Sequence, residues 1–173
     1  MSTFWSKIYA ENGKWAILEE DPNFYHQITH DADGNASPGT HDLHYHLSEL
    51  GLPNVNGKKI LEIGCADGGV TLELLKRGAD VTAVEAWPLM SKHAKHLLSQ
   101  HGQDPKRILA TDFPFQEPPA ERYDFIILFH VICHWDGNIL RDASKQMEHL
   151  LSTQGSILVV DSVHHLDRLQ YFL

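Results

Sequence analysis

The spacing of hydrophobic positions along this chain changes near residue 57. Beyond that point, short continuous apolar runs alternate with segments in which apolar residues recur every three or four positions. The apolar runs are typical of strands buried on both faces, and the spaced segments are typical of amphipathic helices. The pattern predicts strands at residues 59–64, 80–85, 107–111, 123–129 and 156–162, and helices at residues 70–78, 88–102 and 138–152.

Single residues mark the ends and the inner faces of the predicted helices. Gly78 and Gly102 follow the first two helices as C-terminal stops, and Pro88 lies in the first turn of the second helix. Leu72 and Leu75 are the expected inward positions of the first helix. Because strands alternate with helices, the crossovers should be right-handed. The fold class is therefore α/β, with a doubly wound, mainly parallel sheet and helices on both of its faces.

The glycine-rich stretch ILEIGCADGG, residues 60–69, ends the first strand and opens the first helix. In a sheet of this kind, ligands bind beyond the carboxyl ends of the strands, where the strand order reverses. The free N–H groups at the start of the following helix lie at the same place. We therefore expect a ligand to lie against the backbone of this loop.

The residues of the loop leave two kinds of ligand open. The spacing of Gly64, Ala66 and Gly69, with an acid ending the second strand, fits a loose dinucleotide fingerprint. Glu62 and Asp67 oppose that interpretation, because both would face a pyrophosphate with the wrong sign of charge. An acidic loop instead favours a cationic ligand, such as an ammonium or a sulfonium group.

Composition narrows the class of protein. The chain has 173 residues, of which 42% are hydrophobic, and this suffices to bury the core of one domain. Its net charge of −9 repels phosphate backbones, so no nucleic-acid partner is expected. Cys65 and Cys133 do not form a disulfide framework, which favours the cytoplasm. The N-terminus lacks a signal-peptide core, and the longest apolar run, FIILFHVIC, is far too short to span a membrane.

Five segments between residues 58 and 163 resemble the class I S-adenosylmethionine-dependent methyltransferases. ILEIGCADGGVTLEL is similar to the family's first motif. VTAVEAWPLMSKHAKHLL is similar to the acid-ended second strand with its Pro-x-Met helix start, and ILATDFPF to the segment that closes the third strand. RYDFIILFHVICHW resembles the fourth motif, and HLLSTQGSILVVDS resembles the family's segment of helix, glycine turn at Gly155 and fifth strand. The resemblance implies a Rossmann-like fold, S-adenosylmethionine as the cofactor and S-adenosylhomocysteine as its product.

The resemblance also assigns roles in cofactor binding. Glu85 is expected to accept both ribose hydroxyls, and Asp112 is expected to accept the adenine amino group. The backbone N–H of Phe113 should donate to an adenine ring nitrogen, and the carbonyl of His130 should accept from the cofactor's ammonium group. The other predicted contacts lie on the first loop and after the second strand: Glu62, Gly64, Cys65, Ala66, Asp67, Gly68, Ala86 and Trp87.

Some of these residues carry a more specific expectation. Glu62 should act indirectly by holding the loop, and Cys65 should fill space rather than react. Ala66 stands where the family usually has glycine. Trp87 replaces a smaller polar residue, and it either packs along the adenine or only against the protein.

His134 is the predicted catalytic residue. In the family, the loop after the fourth strand lines the chamber in which the methyl group is transferred. Histidine has the ordinary pKa of a base that can remove the acceptor's proton. The alternative is that His134 is a hydrogen-bonded wall residue.

No metal site is predicted, although histidines cluster in two places. HDLHYH contains His41, His44 and His46, but on a helix His46 leaves the face shared by the other two. His130 and His134 lie four positions apart without accompanying carboxylates of a metal set.

The predicted organisation is a single domain over residues 1–173, with a helical lid at 1–46, a cofactor-binding core at 58–163 and an apolar tail at 164–173. The family's usual sheet adds a helix and an antiparallel hairpin after the fifth strand, but only 12 residues follow Asp161. We therefore expect about five strands in the order 3-2-1-4-5, or else a chain that is a shortened form of a longer protein. The exposed edge of the fifth strand needs a cover, which predicts a homodimer through that strand and the tail.

These residues together predict methyl transfer from S-adenosylmethionine to a small-molecule acceptor, with oxygen favoured over nitrogen or carbon. The Asn/Asp-Pro-Pro-aromatic signature of enzymes that methylate nucleobase amines is missing from the fourth motif. The alternatives are a non-catalytic cofactor-binding subunit and a different reaction on the same cofactor.

Overall fold

The structure, a computed structural model, describes residues 54–160. These residues belong to one compact unit of the chain. The predicted lid at 1–46, the histidines of HDLHYH and the apolar tail at 164–173 lie outside the described residues. The single-domain organisation and its boundaries stay a prediction.

Five parallel strands form one sheet in the order β3-β2-β1-β4-β5, as predicted. The central strands β1 and β4 carry side chains with no exposed surface, among them Ile60, Leu61 and Ile127. A continuous apolar run is the pattern of a strand covered on both faces, and the burial confirms it. The strands are β1 Lys59–Ile63, β2 Asp80–Val84, β3 Ile108–Leu109, β4 Tyr123–Phe129 and β5 Leu151–Val160.

Three helices connect the described strands: α1 Gly69–Lys76, α2 Pro88–Gln100 and α3 Gly137–Leu150. Leu72 and Leu75 of α1 are buried, and Gly78 and Gly102 adopt positive φ beyond α1 and α2, as predicted. The chain moves outward from β1 through β2 to β3, and in the opposite direction from β4 to β5. Right-handed crossovers therefore place α1 and α2 on one face of the sheet and α3 on the other.

The core on the α3 face is a cluster of buried apolar side chains. Leu61, Ile126 and Leu128 from the sheet meet Leu140 and Met147 from α3 there. All five have at most 1% of their surface exposed. Full burial of such side chains stabilises the fold by about 1.5–3 kcal/mol each. This packing fixes the position of α3 along the strand direction, relative to the carboxyl end of the sheet.

Two strands differ from their predicted bounds. β3 has only two residues, because only Ile108 and Leu109 pair with β2. β5 begins directly after α3, and its pairing with β4 is irregular between Leu151 and Ser156. The predicted glycine turn at Gly155 is therefore part of a bulged strand. A Cβ on Gly155 would lie 2.9 Å from the Tyr123 carbonyl oxygen, so glycine is required by the neighbouring strand.

Candidate functional site

The predicted site residues fall at one edge of the sheet because the strands end in register. Ile63 at the end of β1 pairs with Val84 on β2 and with Leu128 on β4. Val84 in turn pairs with Leu109 on β3. The residues that follow these strands, including Gly64 and Glu85, therefore share the carboxyl edge, where ligands bind in such folds.

The loop between β1 and α1 is held tightly to this edge. The N–H groups of Gly64 and Cys65 both donate to the Val84 carbonyl, at 2.8 and 3.0 Å. The Gly68 N–H donates to the Cys65 carbonyl at 2.8 Å, and the Asp67 carboxylate accepts from the Gly69 N–H at 3.3 Å. The loop is thus ordered by its own hydrogen bonds.

Two glycines of the loop are required by neighbouring protein atoms. A Cβ on Gly64 would lie 2.6 Å from a methyl carbon of Val131, in the loop after β4. A Cβ on Gly68 would lie 3.0 Å from the Cβ of Ala94 on α2. Both glycines also have positive φ, of 74° and 84°, which side-chain-bearing residues avoid. Packing of the chain against itself therefore accounts for both glycines, independently of the ligand expected at this loop.

Ala66 adopts a backbone conformation that suits the glycine of related proteins. Its φ is +48°, in the left-handed region, where a residue with a Cβ costs roughly 1–2 kcal/mol. Its N–H donates to a carboxylate oxygen of Glu85 at 2.8 Å. Strained residues of this kind are held by their surroundings and concentrate at functional sites.

Glu85 ties the loop to the start of α2. One carboxylate oxygen accepts from the Ala66 N–H, and the other accepts from the Trp87 N–H at 2.8 Å. Burial raises the pKa of the Glu85 carboxyl, while these two backbone donors lower it. A carboxylate has about four acceptor positions, so Glu85 retains positions for further donors.

Glu62 is the most deeply buried acid of the described residues. Its side chain is 2% exposed and accepts a 2.5 Å hydrogen bond from the Thr71 hydroxyl on α1. The pKa of Glu62 is raised to about 8, chiefly by burial and further by the charges of Asp67 and Glu85, against the Thr71 hydrogen bond. Glu62 thus connects the end of β1 to the helix after the loop, which supports its predicted indirect role.

These acids give the loop a chemistry that fits a cation. The negative charges of Asp67 and Glu85 lie close enough to Glu62 to disfavour its ionisation. A positively charged group bound beside them would offset that repulsion. S-adenosylmethionine carries a sulfonium and an ammonium, so the residues present fit this cofactor, and they oppose a pyrophosphate.

Cys65 is buried, and burial raises the pKa of its thiol, with Glu62 and Glu85 adding to the effect. A buried, protonated thiol is unreactive. Its burial agrees with a residue that fills space, and its predicted contact with the cofactor stays a prediction.

The segment after β3 places aromatic rings beside the site. Phe113 is buried and its ring stacks on Trp135, with centroids 5.9 Å apart and planes at 21°. Phe115 meets the Phe113 ring edge-on at 5.2 Å. Asp112 directly precedes this cluster and is exposed. The cluster holds the backbone of Phe113, from which the predicted adenine contact would come.

The loop after β4 carries the second left-handed residue of the site. His130 has a φ of +53°, and its carbonyl accepts from the Cys133 thiol at 3.2 Å. A carbonyl oxygen has two lone pairs, so one acceptor position remains. Ile132–His134 form a single 3-10 turn, on which His134 is exposed. The predicted catalytic histidine therefore stands on the same edge as the acidic loop.

Within residues 54–160, no group of three metal-ligating side chains is close enough to hold a metal ion.

None of the described helices is long and apolar enough to cross a membrane.

A family model described as a methyltransferase domain matches residues 39–173. The chain belongs to the methyltransferase domain family. Its five parallel strands in the order 3-2-1-4-5 have the architecture of the class I methyltransferases, the class that uses S-adenosylmethionine. The resemblance found in the sequence is confirmed.

The chain is similar to several known proteins. An uncharacterized methyltransferase of Staphylococcus carnosus is 28% identical over 113 residues, which are 64% of this chain and 50% of that protein. The chain spans about half the length of the curated relatives that it matches.

Solved structures share its fold. A TehB-like SAM-dependent methyltransferase of Corynebacterium glutamicum matches with a TM-score of 0.65 and 20% identity, over 91% of this chain and 81% of that one. The glycopeptide N-methyltransferase MtfA in complex with S-adenosyl-L-methionine matches with a TM-score of 0.57 and 18% identity, over 70% of this chain and 53% of that one.

Two residues of the site were missed from the sequence. Thr71 was not distinguished from other residues of the first helical turn. A buried acid such as Glu62 needs a hydrogen-bonding partner, and this need could have indicated Thr71. Gln146 on α3 contacts the backbone of Phe115. No local sequence pattern indicates the contact between Gln146 and Phe115, because these two residues are far apart along the chain.

Proposed function

We propose that this protein transfers a methyl group from S-adenosylmethionine to a small-molecule acceptor, with oxygen as the favoured acceptor atom. The observation that carries the proposal is the acidic loop at the carboxyl edge, where the negative charges of Asp67 and Glu85 favour a bound cation. The net charge of −9 further supports a small acceptor rather than a nucleic acid.

The residues that would hold the cofactor follow from their places on this edge. Glu85 accepts the ribose hydroxyls with its remaining acceptor positions, Asp112 accepts the adenine amino group, and the Phe113 N–H donates to the ring. The loop at Gly64–Gly69 and the His130 carbonyl hold the methionine part. The cofactor supplies a methyl group made electrophilic by the sulfonium charge.

The part of the protein itself is to orient the acceptor and to remove its proton. His134 is exposed on the turn after β4, on the same edge as the loop. Its imidazole would accept the proton of an acceptor hydroxyl whose oxygen receives the methyl group, with S-adenosylhomocysteine as the product that leaves. Little else is required of the protein in such a displacement.

Calorimetry with S-adenosylmethionine and with S-adenosylhomocysteine tests cofactor binding. We expect one site per chain and a dissociation constant of about micromolar order. Asp112→Ala should weaken binding by about 1–3 kcal/mol, because it leaves a hydrogen-bonding group of the adenine unpaired. Asp142→Ala makes the same change on an exposed part of α3 and serves as the matched control.

The outcomes separate the candidate functions. Absence of heat with both ligands at high concentration would remove the proposal, and binding of NADH instead would restore the dinucleotide interpretation. If the cofactor binds but no panel of phenols, amines and carboxylates releases S-adenosylhomocysteine, the chain is a cofactor-binding subunit.

His134→Ala tests the proton-removing role once an acceptor is known. We expect kcat to fall by about 10²–10⁴-fold, the range for a general base, while the affinity for S-adenosylmethionine stays unchanged. Turnover should continue in the presence of a chelator. An unchanged rate would make His134 a wall residue, and loss of activity with the chelator would reopen a metal-dependent mechanism.

We further propose a cytoplasmic homodimer. The number and spacing of the two cysteines, Cys65 and Cys133, do not suggest a disulfide framework, which supports a reducing compartment. Among the described strands, β5 forms one edge of the sheet and pairs only with β4. Ile157, Leu158 and Val159 on this edge are only partly buried. A second copy of the chain would cover them.

A further inference from the structure

β3 offers little support to the segment that would hold the adenine. The strand ends at Leu109 after two residues, and the N–H of Thr111 turns back to the Leu109 carbonyl at 3.1 Å. Asp112 and Phe113 therefore lie beyond the hydrogen-bonded ladder of the sheet. Their position must be fixed by other contacts, because a base is recognised only if the carboxylate and the backbone N–H keep their relative placement.

Gln146 supplies such a contact from α3. Its amide oxygen accepts from the Phe115 N–H at 2.7 Å, and its amide nitrogen donates to the Phe115 carbonyl at 2.9 Å. A single side chain thus forms both hydrogen bonds that a neighbouring strand would provide. Asn, Ser or Thr at this position would be too short for the same pair, and Leu or Met would offer no polar group.

The aromatic cluster passes this support on to the preceding residues. The Phe115 ring lies edge-on to the Phe113 ring, which stacks on Trp135. Gln146 holds the Phe115 backbone, and the stacked rings hold Phe113. Gln146 and the stacked rings therefore hold the segment from Asp112 to Phe115 in place, although no strand pairs with it.

We propose that Gln146 is a positioning residue that sets the base specificity of the cofactor site. The proposal rests on the proposed S-adenosylmethionine function. Adenine presents an amino donor and a ring-nitrogen acceptor, which match the Asp112 carboxylate and the Phe113 N–H. Hypoxanthine presents the reverse, a carbonyl acceptor and an N–H donor. A site built for one pattern rejects the other because its polar groups are left unpaired.

The experiment compares S-adenosylhomocysteine with S-inosylhomocysteine by calorimetry. For the native protein we expect the adenosyl compound to bind at least about tenfold more tightly, which corresponds to one lost hydrogen bond. Gln146→Leu should weaken binding of the adenosyl compound by about tenfold and bring the ratio of the two affinities close to one. Gln154→Leu makes the same substitution at an exposed position of β5 and should leave the ratio unchanged.

Gln146→Glu is a second test variant, which keeps the proposal testable if Gln146→Leu does not fold. Glutamate keeps the acceptor for the Phe115 N–H but loses the donor to its carbonyl, and a protonated carboxyl group can make both bonds. The affinity ratio of this variant should therefore rise toward the native ratio measured at the same pH when the solution is acidified from pH 7.5 to about pH 4, near the ordinary glutamate pKa. A merely structural residue would change both affinities together.

The outcomes decide between the two proposals. If the native protein binds neither compound, the proposed function and this inference both fail. If the native protein discriminates and Gln146→Leu discriminates equally well, only the role of Gln146 is overturned. That role is also overturned if folded Gln146→Leu loses affinity for both compounds by the same factor.

Discussion

Glu62 is an acid kept in a place that penalises its charge. It is 2% exposed, and its one hydrogen bond in the described structure comes from Thr71. Burial of a carboxylate without a cationic partner favours the protonated form. Glu62 thus carries a proton at neutral pH, which reduces the repulsion among the acids of the loop.

Glu62→Gln is expected to remove a pH dependence of stability. The pKa of Glu62 is about 8 in the folded protein against an ordinary 4.5. Between these values the folded state holds a proton that the unfolded state has lost, so the unfolding free energy of the native protein falls as the pH rises. Gln still accepts from Thr71 but cannot ionise. Its advantage should grow from pH 4.5 to pH 8 and reach roughly 3–5 kcal/mol.

Urea unfolding at several pH values between 4.5 and 9 measures this difference. Glu117→Gln, at an exposed loop position, is the control and should follow the native curve. Parallel curves for Glu62→Gln and the native protein would show that the carboxyl group is ionised in the fold.

At the scale of elements, α3 begins at a well-defined cap. The Asp136 carboxylate accepts from the N–H groups of Asn138 and Ile139 at 2.9 and 3.0 Å. This cap follows directly after the turn that carries His134 and Trp135. The start of α3 therefore links the helix that bears Gln146 to the loop of the proposed catalytic histidine.

Asp136→Ala is expected to lower the unfolding free energy by about 1 kcal/mol, because two N–H groups lose their acceptor. Asp136→Asn keeps a capping oxygen and should cost little. The urea midpoint should shift at an unchanged slope. Equal midpoints for the Ala variant and the native protein would mean that water replaces the cap without loss.

The sequence predicted the elements well where the hydrophobic periodicity agrees with the glycine and proline residues that mark the ends of helices and strands. β4 has its predicted bounds, because all residues of YDFIILF except the Asp are apolar, as is typical of a central strand. β3 could not be bounded in this way, since its length depends on how far β2 pairs with it. The bulge at Gly155 was hidden for a similar reason: it arises from the pairing with Tyr123, and glycine alone indicates only a turn.

At the scale of the whole molecule, the prediction of the site rested on topology. Once the strand order is known, the register brings Gly64, Glu85 and His130 to one edge without further information. The contacts of Glu85 with Ala66 and Trp87 could not be predicted, because a carboxylate at that edge can face the ligand, the loop or both. The cofactor roles of these residues stay predictions.

The assembly prediction also belongs to the whole molecule. We expect light scattering to give twice the chain mass of 19.6 kDa, because a second copy buries the apolar edge of β5. Deletion of residues 166–173 should weaken this association or lower solubility. A monomer that persists at high concentration would contradict the dimer.

The close approach of Gly68 to Ala94 makes the two positions depend on each other over evolutionary time. Ala94 has no exposed surface, and a Cβ on Gly68 would lie 3.0 Å from the Cβ of Ala94 and 3.1 Å from its Cα. Descendants of this chain should therefore vary freely on the outer face of α2 while position 94 stays small. A sequence pattern written to find this loop would be more selective if it also required a small residue at position 94 of α2. That requirement follows from the short distance between the loop and α2, and it is independent of the ligand.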